Sequence, residues 1–180
     1  MLHLGRCSNT TNMKYSLLIS AIAMSGAAFA QTEAVYMPTS DLIIETSEAE
    51  FQITAEVADD PNEIATGVMF RDGIEPDHGM IFEFAPPREA NMYMRNVSFP
   101  IDMVFIDTDG TVLATVSHVQ AQSERRINPG FNVAGVLELP DGAVIEYGLK
   151  PGDMIRHDLF GNMPETTEPV EPAEEPASEN

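Results

Sequence analysis

Residues 92–106 read Met92-Tyr93-Met94-Arg95-Asn96-Val97-Ser98-Phe99-Pro100-Ile101-Asp102-Met103-Val104-Phe105-Ile106. Two apolar runs flank a break that carries three polar side chains, Arg95, Asn96 and Asp102. In the second run both alternating faces are apolar, with Ile101, Met103 and Phe105 on one and Val104 and Ile106 on the other. That pattern predicts an internal strand covered on both sides. The first run, Met92 to Asn96, reads as a second core strand, and Pro100 separates the two.

Towards the C-terminus, Asp107-Thr108-Asp109-Gly110 precedes the β-branched run Thr111 to Val116, which predicts a hairpin. Gln120 to Gly130 is a polar loop with Arg125 and Arg126, and Phe131 to Leu139 is a further strand. Pro140-Asp141-Gly142 turns the chain into a short helical segment, Ala143 to Tyr147, closed by Gly148 and Leu149. Pro151-Gly152-Asp153 then leads into a last strand, Met154 to His157.

Towards the N-terminus, Gly79 to Phe84 is a strand with Met80, Phe82 and Phe84 on one face. Ala85-Pro86-Pro87 cannot join a central ladder and predicts a loop. Asp60-Pro61-Asn62-Glu63 has an N-cap acid, a proline for the first turn and the glutamate of a capping box, so a helix should run from Pro61 to about Phe70. Phe51 to Val57 alternates apolar and polar, as a strand with one wet face does. Many short strands with closely spaced turn signals predict a mainly β domain, a small sandwich or barrel with one or two short helices.

The ends differ in kind. Residues 1–30 read as a signal peptide, with a basic start at Met13-Lys14, an apolar run from Leu17 to Met24 and the cleavage site Ala28-Phe29-Ala30. The mature chain should begin at Gln31 and reside in the periplasm or outside the cell, with no stable membrane insertion after cleavage. Cleavage removes Cys7, the single cysteine, so disulfides and thiolate chemistry are excluded from the mature chain. Residues 31–49 read as a linker with a short strand at Leu42 to Ile44, and residues 50–160 as one domain. Residues 161–180 hold four prolines and six glutamates and no basic residue. Such a segment cannot bury enough apolar surface to offset its ordering entropy, which predicts disorder.

The full chain has nine basic and twenty-nine acidic residues; setting aside Arg6 and Lys14 in the signal leaves seven against twenty-nine, a net charge of −22. Nucleic acids and anionic lipid surfaces select basic patches, so neither is an expected partner.

The motifs in order are Gly67-Val68-Met69-Phe70-Arg71, Gly79-Met80-Ile81-Phe82, Met94-Arg95-Asn96, Pro100-Ile101-Asp102-Met103, Phe105-Ile106-Asp107, Val136-Leu137-Glu138-Leu139, and Gly148 with Gly152-Asp153. Over about Phe51 to Ile155 the chain resembles the domain of unknown function 192 family. The resemblance implies a compact, mainly β domain of sandwich or jelly-roll type, often exported, with no established activity. Tyr93 stands where that family usually has a tryptophan, and Val97 where it has the threonine of its Met-Lys-Asn-Thr motif.

Four residues are candidates for a ligand site: Arg71, Arg95, Asn96 and Asp102. The arginines would form an anion pocket, with Asp102 orienting a guanidinium. The structural alternative, which comes first for a buried carboxylate, is that Asp102 staples the turn through backbone N–H groups. Met69, Met80, Met92, Met94 and Met103 are soft donors suited to Cu(I), but sit where core residues are expected. His78, His118 and His157 lack metal-site spacing, and no nucleophile motif is present. The expected function is an exported binding or accessory module for a small anionic ligand or a partner protein, without a cofactor, metal or catalytic residue. Its competitors are a hydrolase built on Asp102 and Glu138, or on a histidine–carboxylate pair, and a methionine-based copper-handling protein.

Overall fold

Ile101–Ile106 is buried at all six positions, as its doubly apolar pattern requires. This strand belongs to a computed structural model that describes residues 33–165. Its elements are β1 (Thr39–Glu45), β2 (Glu50–Ala58), α1 (Pro61–Thr66), β3 (His78–Glu89), β4 (Ile101–Ile106), β5 (Val112–Val119), β6 (Asn132–Pro140), α2 (Ala143–Glu146) and β7 (Met154–Arg156), followed by a 3-10 turn at Asp158–Phe160. The strands form one seven-stranded sheet in the order β5-β4-β6-β3-β2-β1-β7. Only β2 and β3 pair in parallel, joined by the α1 crossover.

The sheet curls into a half-barrel. At one end its two edges meet: Thr111 bridges to Met154, the Ile155 N–H donates to Gly110 O at 2.8 Å, and the Val112 N–H donates to Asp153 O at 2.8 Å. One apolar cluster takes residues from every strand, including Leu42, Ile53, Ile81, Val104, Val112, Leu137 and Ile155, and is capped by Val144 and Tyr147 of the α2 region. The other face of the middle strands carries a second cluster, with Met80, Phe82, Met103, Phe105 and Val136, covered by Val68, Met94 and Val97 from the connecting segments. The mainly β class with two short helices is as expected. The core is built by the curl of one sheet and the loops laid over its back.

Local signals fared well where the physics is local. Asp60 caps α1 by accepting from the Asn62 and Glu63 N–H groups, and Glu63 returns the bond to complete the capping box. The helix ends four residues earlier than expected, at Thr66, because Gly67 follows with a positive φ of 49°. The Asp109-Gly110 hairpin joins β4 to β5 as read. The prolines at 86 and 87 lie within β3, where the pairing with β6 shifts register between Glu83 and Arg88.

Three expectations need correction. Ala85-Pro86-Pro87, expected to be a loop, lies within β3, which runs to Glu89. Met92 to Asn96 is not a strand; it makes one isolated bridge, Met92 to Ile127, and Asn96 turns the chain with φ 62°. Its apolar residues are buried as a cover over the second cluster, which gives the same alternation without a ladder. The stretch read as a linker with a short strand at Leu42 to Ile44 holds a longer one, β1, seven residues long and paired on both sides, with β2 and β7. The signal peptide and the tail from residue 166 lie outside the described residues. Asn162, placed by sequence in that tail, donates from Nδ2 to Asp109 O and Ile155 O, each at 2.9 Å.

Candidate functional site

The four expected site residues do not converge. Asp102 lies on β4 opposite Leu139, so it points with Val104 towards the barrel interior. Its Oδ1 accepts from the His118 N–H and its Oδ2 from the Val144 N–H, both at 2.8 Å. The first bond holds a bulge of β5 in which His118 has φ 52°. The second caps α2, whose own N-cap, Gly142, has no side chain to offer. Asp102 thus staples β4, β5 and α2 together, the role foreseen first for a buried carboxylate.

Arg71 and Asn96 belong to adjoining segments on the other face: the Phe70 N–H donates to Asn96 O at 2.9 Å, and Ser98 Oγ donates to Arg71 O at 3.3 Å. Arg95 is exposed and lies 5.2 Å from the centre of the Tyr93 ring. Glu138 pairs with Met103 in register and so faces away from Asp102, on the opposite side of the sheet. That geometry removes the Asp102–Glu138 carboxylate pair. His118 and Asp141 form a histidine–carboxylate contact of 2.9 Å on the open surface. All five candidate methionines pack in the second apolar cluster, with Met80, Met94 and Met103 fully buried. No group of three His, Cys, Asp or Glu side chains suited to a metal ion occurs among the described residues.

Arg71 is the organising group of a cleft of about 460 Å³ lined also by Tyr36, Glu56, Asp72, Glu75 and His78. Arg71 is 7% exposed, and its guanidinium donates to both oxygens of Glu56, at 2.5 and 2.8 Å, and to Val35 O. Glu56 also accepts from the Met37 N–H at 2.6 Å. Burial pushes the Glu56 carboxyl up, but the bonds from Arg71 and Met37, with the Arg71 charge, outweigh it and hold the group below its ordinary range. Removing one partner of such a pair leaves an uncompensated buried charge, at about 3–5 kcal/mol. The Tyr36 ring lies 4.5 Å from Arg71 on one side and is 75% exposed. Tyr36 and Glu56 were not singled out by sequence, and His78 was weighed only as a metal ligand or histidine–carboxylate partner, because their meeting depends on the segment before β1, β2 and the Asp72–His78 loop being brought side by side.

A second cleft of about 220 Å³ lies beside it, sharing Val68. Its lining includes Met69, Phe82, Met92, Val97 and Glu138. Glu138 sits mid-strand between Met80 and Met103 and is 4% exposed. Burial raises its carboxyl to about 8, and the Arg71 charge offsets only part of that. Among the described residues its Oε2 has no hydrogen-bond partner, nor has the Nε of Arg71. A charged residue inside Val136-Leu137-Glu138-Leu139 was the sequence signal for this group.

A curled, mainly β domain with paired clefts on the outer face of its sheet is thus the class of protein defined here. Residues 42–157 match the DUF192 family, described as an uncharacterized ACR, and the chain belongs to that family. It is similar in structure to a protein from Sinorhizobium meliloti 1021 described as a candidate transcription regulator, with 35% identity and a TM-score of 0.67 over 69% of this chain and 98% of that one. It is also similar to a protein of unknown function from Novosphingobium aromaticivorans DSM 12444, with 27% identity and a TM-score of 0.65 over 67% of this chain and 86% of that one. No curated protein matches the chain.

Proposed function

We propose that this chain is an exported binding module whose ligand enters the cleft between Tyr36 and the Asp72–His78 loop. The observation that carries the reading is the bare outer face of Tyr36 above a floor where Arg71 is already matched by Glu56. Sequence pointed to an anion held by Arg71 and Arg95. With Arg71 neutralised and Arg95 on Tyr93 beside the other cleft, the charges left around the first cleft are Asp72 and Glu75. An aromatic face flanked by carboxylates favours a small organic cation or amine. Export rests on the signal-like residues 1–30.

A nucleic-acid role, suggested by the description of the Sinorhizobium protein, is opposed by the net charge of −20 on the full chain. The test is a titration with tetramethylammonium and, separately, phosphate, followed by amide NMR. Tetramethylammonium should move the Tyr36 and Asp72–His78 amides, and Tyr36→Ala should weaken it on the order of tenfold. Saturable phosphate binding lost in Arg95→Ala would restore the anion reading. Arg71→Ala is a poor probe because it breaks the buried ion pair.

A further inference from the structure

Glu138 has no structural task that an apolar residue would not perform better. Its backbone is fixed on both sides, in register with Met80 of β3 and Met103 of β4. Its neighbours on that face are apolar, and methionine or leucine would continue the packing of the cluster without leaving a polar atom unpaired. The positive charge that acts on it, Arg71, gives both terminal nitrogens to Glu56 and Val35 and makes no hydrogen bond to Glu138. Yet the side chain forms part of the wall of an open cleft, with Oε2 unpartnered. A buried hydrogen-bonding group in the wall of a cavity, without a partner among the described residues, is placed to meet one that enters from outside.

We infer that the second cleft binds a small, neutral, mainly apolar molecule carrying one carbonyl or amide group, which hydrogen-bonds Glu138. Size and lining set the class. The volume of about 220 Å³ lies below the ~300–1,000 Å³ typical of sites for larger ligands. Val68, Met69, Phe82, Met92 and Val97 supply apolar contact, and the two thioethers adapt to irregular shapes. Burial keeps the Glu138 carboxyl in its neutral form at pH 7, so it offers an O–H donor and a C=O acceptor side by side. A carbonyl takes the donor, and an amide takes both. Arg88 also lines the cleft but lies over the Phe84 ring, 3.9 Å from its centre, so a carboxylate ligand at Glu138 would use the donor alone and be desolvated beside an acid. This site is separate from the Tyr36 cleft, and either could fail without the other.

The experiment uses the mature chain with isotope-labelled methionine methyls and two probes of similar shape, acetophenone and ethylbenzene. Acetophenone should shift the methyls of Met69 and Met92 and leave Met154, on β7, unmoved. Ethylbenzene, which has no acceptor, should bind about tenfold more weakly to the unaltered protein. Glu138→Gln keeps a donor and an acceptor and should bind acetophenone within about threefold of the parent, whereas Glu138→Leu should lose about tenfold and no longer distinguish the probes. Equal affinity of the two probes for the unaltered protein would overturn the proposal, and this comparison needs no variant. So would the absence of any shift at Met69 and Met92, or full acetophenone binding by Glu138→Leu.

Discussion

One carboxyl group on β6 makes the protein less stable as pH rises, opposite in sign to the contribution of Glu56. Glu138 has its folded-state value raised from 4.5 to about 8 by burial, the reverse of the usual salt-bridged acid. Below pH 4.5 it is protonated whether the chain is folded or not, and it contributes no pH dependence. Between pH 4.5 and 8 the unfolded chain releases the proton that the folded chain keeps, so stability falls as pH rises, and above 8 the loss is complete. At 1.36 kcal/mol per unit the total reaches about 5 kcal/mol. Glu138→Gln should therefore be close to the parent at pH 4.5 and several kcal/mol more stable at pH 8, as measured by urea unfolding at both. A constant difference across that range would contradict the buried, neutral state. Sequence shows an acid among Val136, Leu137 and Leu139, which marks it as unusual. Whether it finds a partner depends on Met80 and Met103, residues 58 and 35 positions away, and no local pattern encodes that.

Elements were legible where their causes lie within a few residues. The Asp60–Glu63 capping box and the Asp109-Gly110 hairpin are local chemistry, and both form as read. Alternation alone was less informative, since Met92 and Met94 alternate in a loop that merely covers a cluster. The α2 helix shows how far a cause can be from its effect. Four residues are too few to be stable alone, and its cap comes from β4. Asp102→Ala should leave the His118 and Val144 N–H groups without their acceptor, at about 1–3 kcal/mol for each that stays buried. The expected result is a fall in the unfolding midpoint with tetramethylammonium binding unchanged. Unchanged stability combined with lost binding would return Asp102 to the ligand site.

At the scale of the molecule, the half-barrel depends on a seam made by few residues. Gly110 has φ 93°, and a Cβ there would lie 2.3 Å from both Ile155 O and Asn162 Nδ2. Gly110→Ala should pry β7 from the start of β5 and cost about 2–4 kcal/mol, read as a lower melting temperature and faster amide exchange at Val112 and Ile155. Exchange unchanged at those two amides would show that the seam does not depend on this close approach. The turn at Asp109-Gly110 was legible in the sequence, but the seam was not, because β7 is three residues long and the pairing of its neighbour β1, read as a short strand in a linker, is set more than a hundred residues away. The place of β1 has a consequence for how the chain is made. Ile43 and Ile44 pair with Arg156 and Ile155, residues more than a hundred positions later, and Arg156 reaches back to Glu45. A polypeptide synthesised from its N-terminus holds β1 beside β2 with one edge bare until almost the last described residue has emerged. The strand that begins the sheet is thus among the last to be completed, because its second partner is the last strand described.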